Sequence, residues 1–191
     1  NSLRLFGVTD IFLSCKYQEI LSADGVILPG VGAFNRGMQE LKKRKLPNTL
    51  NDYVDSGKPL LGICLGMQLL FDTGEEFGLT RGLGFVHGSV EKFQDNLNDK
   101  LPHISWNEIH RKDTDWRGTL LNGINDKEDV YFIHSYICKP SNKEVVLSTT
   151  KYGGVEFCSS VEQKNIYACQ FHPEKSGEMG LKIISNFIDI V

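Results

Sequence analysis

The segment Gly62-Ile63-Cys64-Leu65-Gly66 places a cysteine between two glycines at the junction of two apolar runs. The run from Lys58 to Ile63 is typical of a buried strand, and the run from Met67 to Phe71 is typical of a helix. A strand that turns sharply into a helix forces its middle residue into strained backbone geometry and needs small flanking residues. The spacing is that of the GxSxG nucleophile elbow with sulfur in place of oxygen. It predicts that Cys64 lies above a sheet edge as a nucleophile.

The alternative for Cys64 is a buried structural cysteine, because free cysteine is among the most buried residue types. The flanking glycines, between a strand and a helix, favour the nucleophile. The helix N-terminus after the turn would stabilise a thiolate, and the Leu65 amide would point at a developing oxyanion. The other cysteines lack this setting and are expected to be core residues: Cys15, Cys138, Cys158 and Cys169.

Cysteine number and composition exclude several classes of protein. Five cysteines without a CxxC pair fit a reducing compartment better than a disulfide scaffold, so a cytoplasmic location is expected. The formal net charge of −3 provides no basic excess to neutralise the phosphates of a nucleic acid. The longest uncharged apolar-rich run, residues 59–71, is too short to span a bilayer. The histidines and cysteines show no metal-ligand spacing.

A thiol nucleophile needs a base, and the segment Phe171-His172-Pro173-Glu174 supplies a candidate. Pro173 restricts His172 to extended geometry, in which residues two apart point the same way. His172 and Glu174 therefore share one face, where the carboxylate can orient the imidazole while the other ring nitrogen faces sulfur. A surface turn is the bland alternative, but together with the cysteine turn the segment indicates a Cys-His-Glu triad.

The pattern of apolar runs predicts one domain over residues 1–191, since the length suits a single core and no linker or repeat interrupts it. Strands alternate with helices in the first half, and further strands fill the second half. This order predicts an α/β three-layer sandwich with a mixed, mostly parallel central sheet. The expected strands cover residues 24–28, 58–63, 86–93, 130–138, 145–150, 155–160 and 166–171, and the expected helices cover 34–45, 50–56, 67–71 and 177–190.

These residues together resemble the class I glutamine amidotransferases, whose glutaminase domain carries a Cys-His-Glu triad on a cysteine elbow. Four further segments resemble the branch of that family that serves histidine biosynthesis. They are Pro29-Gly30-Val31-Gly32, Pro102-His103-Ile104-Ser105-Trp106-Asn107, His134-Ser135-Tyr136, and His172-Pro173-Glu174-Lys175-Ser176. The resemblance covers essentially the whole chain and implies the fold of that family.

The resemblance implies a catalytic role for each member of the triad. Cys64 would attack the glutamine side-chain amide and form a glutamyl thioester. His172 would pass a proton to the departing ammonia and then activate water, with Glu174 orienting the ring. No cofactor and no metal are expected.

The resemblance also implies binding roles. Backbone amides of Gly30, Val31 and Leu65 would form the oxyanion hole, with the Gly30-Val31 segment turned away until the partner subunit is occupied. The residues that would hold glutamine are Gln68, Glu76 and Ser135. The residues that would contact a cyclase partner, in a heterodimer that channels ammonia, are Pro102, His103, Trp106 and Asn107. From the residues alone, the last segment is a turn with an aromatic anchor, and Trp106 fits a core as well as an interface.

Two departures from the family pattern leave alternatives open. Ser105 stands where the family usually has glycine, and the sequence opens on Asn1 without the strand and glycine-rich loop with which the family begins. An expected central strand is therefore lacking. A paralogous subunit that supplies ammonia for surface-polysaccharide sugars is the alternative function. A catalytically silent module on the same fold is another, against which the intact triad residues speak.

Overall fold

The computed structural model describes residues 2–94, 98–112 and 115–191, so Asn1 lies outside the described residues. The helices are α1 (Ser2–Leu5), α2 (Tyr17–Ser22), α3 (Phe34–Lys43), α4 (Leu46–Asp55), α5 (Leu65–Leu69) and α6 (Gly177–Ile190). The strands are β1 (Val26–Gly30), β2 (Leu60–Cys64), β3 (Phe71–Gly74), β4 (Thr80–Arg81), β5 (Val86–Lys92), β6 (His103–Arg111), β7 (Glu128–His134), β8 (Tyr136–Pro140), β9 (Val146–Tyr152), β10 (Val155–Gln163) and β11 (Ile166–Cys169). Short 3₁₀ turns cover Lys143–Val145 and Pro173–Lys175.

The strands form a mixed sheet, as predicted. Strand β2 lies between β1 and β11 and runs parallel to both. The sheet then continues in the order β10, β8, β5, β3 and β4, and β9 links β10 to the β6–β7 pair. Within the described residues, parallel pairing is confined to β1–β2, β2–β11 and β3–β5, so the parallel part is smaller than expected. The short connections in the second half join antiparallel neighbours, since a parallel pair needs a long crossover.

Two hydrophobic clusters lie on opposite faces of the sheet and give the predicted three layers. Leu60 belongs to the cluster that contains Phe34 of α3, while its neighbour Leu61 belongs to the cluster that contains Phe187 of α6. Successive side chains of a strand point to opposite faces, which explains why β2 is buried along its whole length. The nucleophile candidate therefore lies at the carboxyl end of a fully buried strand.

Three local predictions differ from the structure. The helix expected over 67–71 begins earlier, at Leu65, and Phe71 already belongs to β3. The run is apolar throughout, so its pattern could not fix where helix gives way to strand. The strand expected over 130–138 bends at Ser135 and becomes β7 and β8. The segment expected as a turn around Trp106 is part of β6.

Strand β1 forms the end of the sheet and borders an apolar cavity of about 470 Å³. The cavity is lined by residues 10–14, by residues 26–28 of β1 and by Phe187 of α6. Pro29, which has no N–H to donate, is compatible with this edge position. In the described part of the chain, no helix is both long and apolar enough to cross a membrane.

Candidate active site

The turn at Cys64 has the strained geometry that the sequence predicts. Cys64 is the last residue of β2 and has φ 54° and ψ −109°, although it is not a glycine. A Cβ atom at Gly66 would lie 1.7 Å from the Leu28 carbonyl oxygen, and one at Gly62 would lie 2.9 Å from the Met67 nitrogen. Only glycine fits at either position, so the tight turn requires both flanking glycines. Such strain persists where the surrounding fold enforces it, as at reactive residues.

The segment after β11 brings His172 to the cysteine. The His172 N–H donates to the Tyr131 carbonyl of β7 at 2.9 Å, and the Ser176 hydroxyl donates to the His172 carbonyl at 2.7 Å. The Tyr131 N–H in turn donates to the Ser176 oxygen at 2.9 Å. These three bonds fix the backbone of the loop against β7, so the imidazole position is set by the sheet.

The imidazole and the carboxylate are paired as predicted. His172 Nδ1 lies 2.7 Å from Glu174 Oε1. His172 Nε2 is buried and has no hydrogen-bond partner of regular geometry among the described residues, and it faces the sulfur of Cys64. The two ring nitrogens therefore connect the carboxylate to the thiol, which is the arrangement of a nucleophile, a base and an orienting acid.

The environment stabilises the charged form of this imidazole. Burial opposes the charge, but interactions with Cys64 and Glu174 outweigh burial and raise the pKa of His172 to about 9. Burial likewise opposes the charge on Glu174, and its bond with His172 overcomes this and lowers the pKa of the carboxyl group. His172 thus holds a proton near neutral pH and can deliver it to a leaving group.

Two further groups contact the Cys64 sulfur. The Ile133 carbonyl oxygen of β7 lies 3.9 Å from Sγ, and Gln170 Nε2 lies 3.7 Å from it. The Gln170 side chain therefore directs an amide N–H at the sulfur of the nucleophile candidate. Sequence reasoning missed Gln170, although a signal was available: it precedes His172 by two residues in an extended segment and so shares its face.

The remaining cysteines are separate from this site. Cys138, Cys158 and Cys169 are buried as predicted, and burial raises the pKa of each thiol, that of Cys158 to about 12. The prediction that Cys15 is a core residue is wrong, because Cys15 is exposed. It lies in the irregular segment before α2 rather than in a strand.

The oxyanion segment predicted from sequence lies beside the turn. Gly30 ends β1 opposite Cys64 in register, and a Cβ there would lie 3.1 Å from that of Leu65. Gly30 and Val31 also line a cavity of about 250 Å³ together with His172 and Glu174. Val31 is 78% exposed, so the loop after β1 is not pinned by packing of its side chain.

The predicted glutamine-holding residues surround the same region in different ways. Gln68 is buried on α5, and its Nε2 donates both to the Tyr136 carbonyl at 3.2 Å and to Gln170 Oε1 at 3.0 Å. Glu76 Oε2 accepts the Phe34 N–H at the start of α3 at 2.8 Å. Because both amide hydrogens of Gln68 are committed, only its oxygen is available to a ligand.

Ser135 occupies the bend between β7 and β8. Its carbonyl accepts the Phe93 N–H at 3.2 Å, while its hydroxyl has no hydrogen-bond partner in the described part of the chain. The hydroxyl is thus available to an incoming polar group.

Three of the four predicted partner residues lie on strand β6 and divide between its two faces, and Pro102 directly precedes the strand. Trp106 is 52% exposed, so it lies on the surface and is not part of the core. Asn107 is half-buried and Pro102 is exposed. His103 differs from the prediction, because it is completely buried behind this surface and stacks on Tyr152 at 3.9 Å between ring centroids.

Strands β6 and β7 together present an exposed apolar surface next to the site. Cross-strand pairing places Ile104 opposite Ile133 and Trp106 opposite Tyr131, and we term these four residues the β6–β7 face. Ile104 and Ile133 are 52% and 36% exposed. The Tyr131 ring lies 6.4 Å from the ring of His172, so the face borders the triad directly. Among the described residues, no cluster of metal-ligating side chains accompanies it.

Comparison with known proteins gives a consistent result over the whole chain. The profile of the family glutamine amidotransferase class-I matches residues 3–191. The chain is 47% identical over 178 residues to the imidazole glycerol phosphate synthase subunit HisH of Listeria innocua, covering 93% of this chain and 83% of that protein. It is 44% identical to the subunit of the same name from Bacillus cereus, covering 100% of this chain and 88% of that protein.

Solved structures agree on the fold. The chain superposes with a TM-score of 0.73 on a crystal structure of a glutamine amidotransferase at 18% identity, covering 99% of this chain and 89% of the other. The TM-score is 0.58 for the glutaminase domain of Trypanosoma brucei CTPS with bound acivicin, at 17% identity and covering 92% of this chain and 75% of the other. At such low identity these likenesses establish the architecture alone.

Proposed function

The chain belongs to the class I glutamine amidotransferase family, and on that premise we propose that it is the glutaminase subunit of an imidazole glycerol phosphate synthase. The observation that carries this proposal is the 47% identity, over 93% of the chain, to a subunit of that name. The relatives reported above share the histidine-pathway name, and nothing in the structure favours the surface-polysaccharide alternative.

The proposed reaction begins with the sulfur of Cys64. The thiolate attacks the side-chain carbonyl carbon of glutamine, and the carbon–nitrogen bond of the resulting tetrahedral species breaks. His172 gives its proton to the departing nitrogen, which leaves as ammonia and produces a glutamyl thioester. His172 then takes a proton from water, which attacks the thioester; the carbon–sulfur bond breaks, glutamate and a proton are released, and the Cys64 thiolate and protonated His172 are restored. The 2.7 Å contact with Glu174 supports a fixed ring orientation in both steps.

Stabilisation of the oxyanion is assigned to Leu65 and to the Gly30-Val31 segment. The amide of the residue after the nucleophile is the standard donor in an elbow of this geometry. Proximity of Gly30 to Leu65 supports a second donor from the loop that follows β1. Because this loop is exposed, a change of its backbone on partner binding would complete the hole and so gate the reaction.

Glutamine itself is proposed to bind between the α5 helix and the β7–β8 bend. Gln68 offers one amide oxygen, and Ser135 offers a hydroxyl, to the polar groups of the substrate. Glu76 offers its second carboxylate oxygen, since the first accepts a backbone N–H at the start of α3. Burial and the nearby Glu76 carboxylate raise the pKa of Tyr136, which supports the proximity of these groups to one another.

The β6–β7 face is proposed as the site of the cyclase partner, with which the chain forms a heterodimer. Half-exposed Trp106 and Ile104 give it the aromatic and aliphatic anchors typical of interface centres. Its border with the triad means that released ammonia enters the partner without crossing bulk water, where protonation would destroy its nucleophilicity. The partner then uses the ammonia to form imidazole glycerol phosphate and AICAR from a ribulosyl nucleotide. Five free cysteines, one of them the nucleophile, support a reducing cytoplasm as the location.

Comparing the nitrogen sources tests this function. The cyclase subunit alone is expected to form imidazole glycerol phosphate from the ribulosyl nucleotide with ammonium salts but not with glutamine. Addition of this chain should permit product formation with glutamine, and Cys64→Ala should abolish that gain while leaving the ammonium reaction intact. Failure of glutamine to support product formation with the wild-type chain would contradict the proposal.

A further inference from the structure

A continuous line of buried hydrogen bonds runs from the nucleophile toward the partner surface. Its inner part begins at the Cys64 sulfur, which receives the 3.7 Å contact from Gln170 Nε2. Gln170 Oε1 accepts from Gln68 Nε2, and the same nitrogen donates to the Tyr136 carbonyl. Gln170 is completely buried and Gln68 is 5% exposed, so water does not compete for these bonds.

The outer part begins at the same carbonyl. His134 Nδ1 lies 2.9 Å from the Tyr136 oxygen, and His134 Nε2 lies 3.0 Å from His103 Nδ1. His103 Nε2 lies 2.9 Å from Asn107 Oδ1, which also accepts from the Ser105 hydroxyl. Asn107 is half-buried on β6, next to the exposed Trp106. The line therefore ends on the inward side of β6, at the residue that follows Trp106 of the surface assigned to the partner.

The protonation of the two histidines determines which nitrogen atoms donate and which accept hydrogen bonds along this line. Burial lowers the pKa of His134 to about 3 and also lowers that of His103, so each neutral ring carries one proton. The Tyr136 carbonyl can only accept, which fixes the His134 proton on Nδ1 and makes its Nε2 an acceptor. His103 then donates from Nδ1 and accepts at Nε2. This requires the Asn107 amide to turn from its orientation in the structure, in which Oδ1 faces His103 and Nδ2 donates to the Lys151 carbonyl.

Aromatic packing holds the middle of the line in place. The His103 ring is stacked between Tyr152, at 3.9 Å, and Phe132, at 4.9 Å between centroids. A ring held on both faces cannot rotate to another partner without disrupting the core. A displacement of Asn107 is therefore passed on to His134 and to the shared carbonyl oxygen, which accepts from both His134 and Gln68.

We propose that the residues from Asn107 through His103, His134, Gln68 and Gln170 to Cys64 form a positioning relay, which couples occupancy of the β6–β7 face to the hydrogen bond on the nucleophilic sulfur. The proposal rests on the function proposed above, because it takes the cyclase as the occupant of that face. In the proposed reaction, none of the intermediate groups is assigned a contact with the reacting atoms of glutamine. They act through Gln170, whose N–H···S contact adjusts the reactivity of the thiolate.

The test compares stimulation of glutamine hydrolysis across variants that interrupt the relay. The measured quantity is the ratio of glutamate release with saturating cyclase and ribulosyl nucleotide to release by the chain alone. In Asn107→Ala, and in His103→Phe, which keeps the stacking but removes both nitrogens, the ratio should fall at least about fivefold. The matched control Glu108→Gln, on the outer face of the same strand, should keep the wild-type ratio. Ile104→Ala should weaken cyclase binding yet keep the ratio at saturation.

A second readout does not need the partner. In a Cys15→Ala background, which removes the exposed thiol, alkylation of Cys64 by iodoacetamide is followed by peptide mass spectrometry. Asn107→Ala and His103→Phe should change this rate at least about threefold at an unaltered thermal midpoint, and Glu108→Gln should not. Wild-type alkylation rates and wild-type ratios in both relay variants would overturn the relay while leaving the proposed function intact. Absence of cyclase stimulation in the wild type, with altered alkylation in the variants, would instead refute the function and its partner but retain the internal coupling.

Discussion

The backbone of Cys64 lies at φ 54°, a conformation that a side-chain-bearing residue adopts only when its surroundings require it. Gly62 and Gly66 allow the chain to close around this conformation, since a larger residue at either position would collide with the neighbouring backbone. At this scale the sequence was highly informative. Glycine spacing predicted the turn, and the His-Pro-Glu spacing predicted the 2.7 Å pairing of His172 with Glu174.

Replacement of the nucleophile tests the residue-level chemistry. Cys64→Ala should lower the rate of glutamine hydrolysis by about a thousandfold or more, because the thioester can no longer form. Steady-state glutamate release measures this, with circular dichroism to verify the fold. Cys15→Ala removes an exposed thiol outside the site and should retain the wild-type rate. Hydrolysis by Cys64→Ala at more than a few per cent of the wild-type rate would exclude Cys64 as nucleophile.

The raised pKa of His172 makes a prediction for stability against pH. Its folded value of about 9 exceeds the ordinary value of 6.5, so the native state binds the proton more tightly than the unfolded state. The resulting stabilisation, on the order of 2 kcal/mol, is fully present below pH 6.5 and disappears as the pH rises through about 9. Urea unfolding of the wild type and of His172→Gln should show a difference in free energy that shrinks over this window. A difference independent of pH would contradict the assignment.

Groups that connect one residue to another were harder to predict than the triad. Gln170 shares a face with His172, but apolar neighbours dominate the pattern around both Gln170 and His134, so nothing in it connects either residue to a distant cysteine. Gln170 and Cys64 are 106 positions apart in sequence, and only the pairing of β11 with β2 brings them together. Tertiary proximity of this kind has no signature in spacing.

At the scale of the element, β6 shows why part of the site escaped prediction. Its inward side carries His103, Ser105 and Asn107, and its outward side carries Ile104 and Trp106. The alternation is the reverse of the usual apolar-in, polar-out order, so the segment resembled a turn. The polar side chains of the inner side form the hydrogen-bond line, and the apolar side chains of the outer side form part of the proposed interface.

The strand-to-helix turn predicts a sharp stability effect. Gly66→Ala would place a methyl group on the Leu28 carbonyl and should cost about 3 kcal/mol or more in the free energy of unfolding. Gly118→Ala, where no atom lies within 4 Å but φ is +74°, isolates the conformational cost and should lose only about 1 kcal/mol. Urea denaturation compares the two variants. Equal losses would mean that close packing does not determine the glycine at position 66.

The β6–β7 face predicts an effect on binding without an effect on folding. Trp106→Ala should weaken cyclase binding by about 2 kcal/mol, or roughly 30-fold in Kd, because a half-exposed indole at an interface centre is a strong anchor. Isothermal titration calorimetry measures the affinity, with Leu79→Ala, an exposed residue outside the face, as the control. Unchanged affinity in Trp106→Ala would place the partner elsewhere.

At the scale of the molecule, the three layers and the mixed sheet followed from the alternation of apolar runs, since strands joined by helices build a sheet covered on both faces. The size of the antiparallel part could not be predicted from the sequence, because strands joined by hairpins and strands joined by crossovers carry similar residues. The helix Gly177–Ile190 matched its prediction because its apolar residues recur on one face over the full length. The short α5 was displaced because its apolar run offered no such periodicity.

The cavity beside β1 leads to a prediction about the sheet edge. The cavity is apolar and borders β1, which forms the end of the sheet. In the 191-residue chain, amides of Val26–Gly30 should therefore exchange hydrogen faster than those of Leu60–Cys64, which lie between two strands. Hydrogen-exchange mass spectrometry makes the comparison. Equal protection of the two strands would show that the edge is already covered.

The account rests centrally on Cys64 releasing ammonia from glutamine under the control of a partner on the β6–β7 face. The most direct measurement is glutamate release by the chain alone, with the cyclase subunit, and with the cyclase and its ribulosyl nucleotide. We predict a large rise in the complete mixture that is absent from Cys64→Ala. Equal release in all three mixtures, or release that survives the loss of Cys64, would contradict the account.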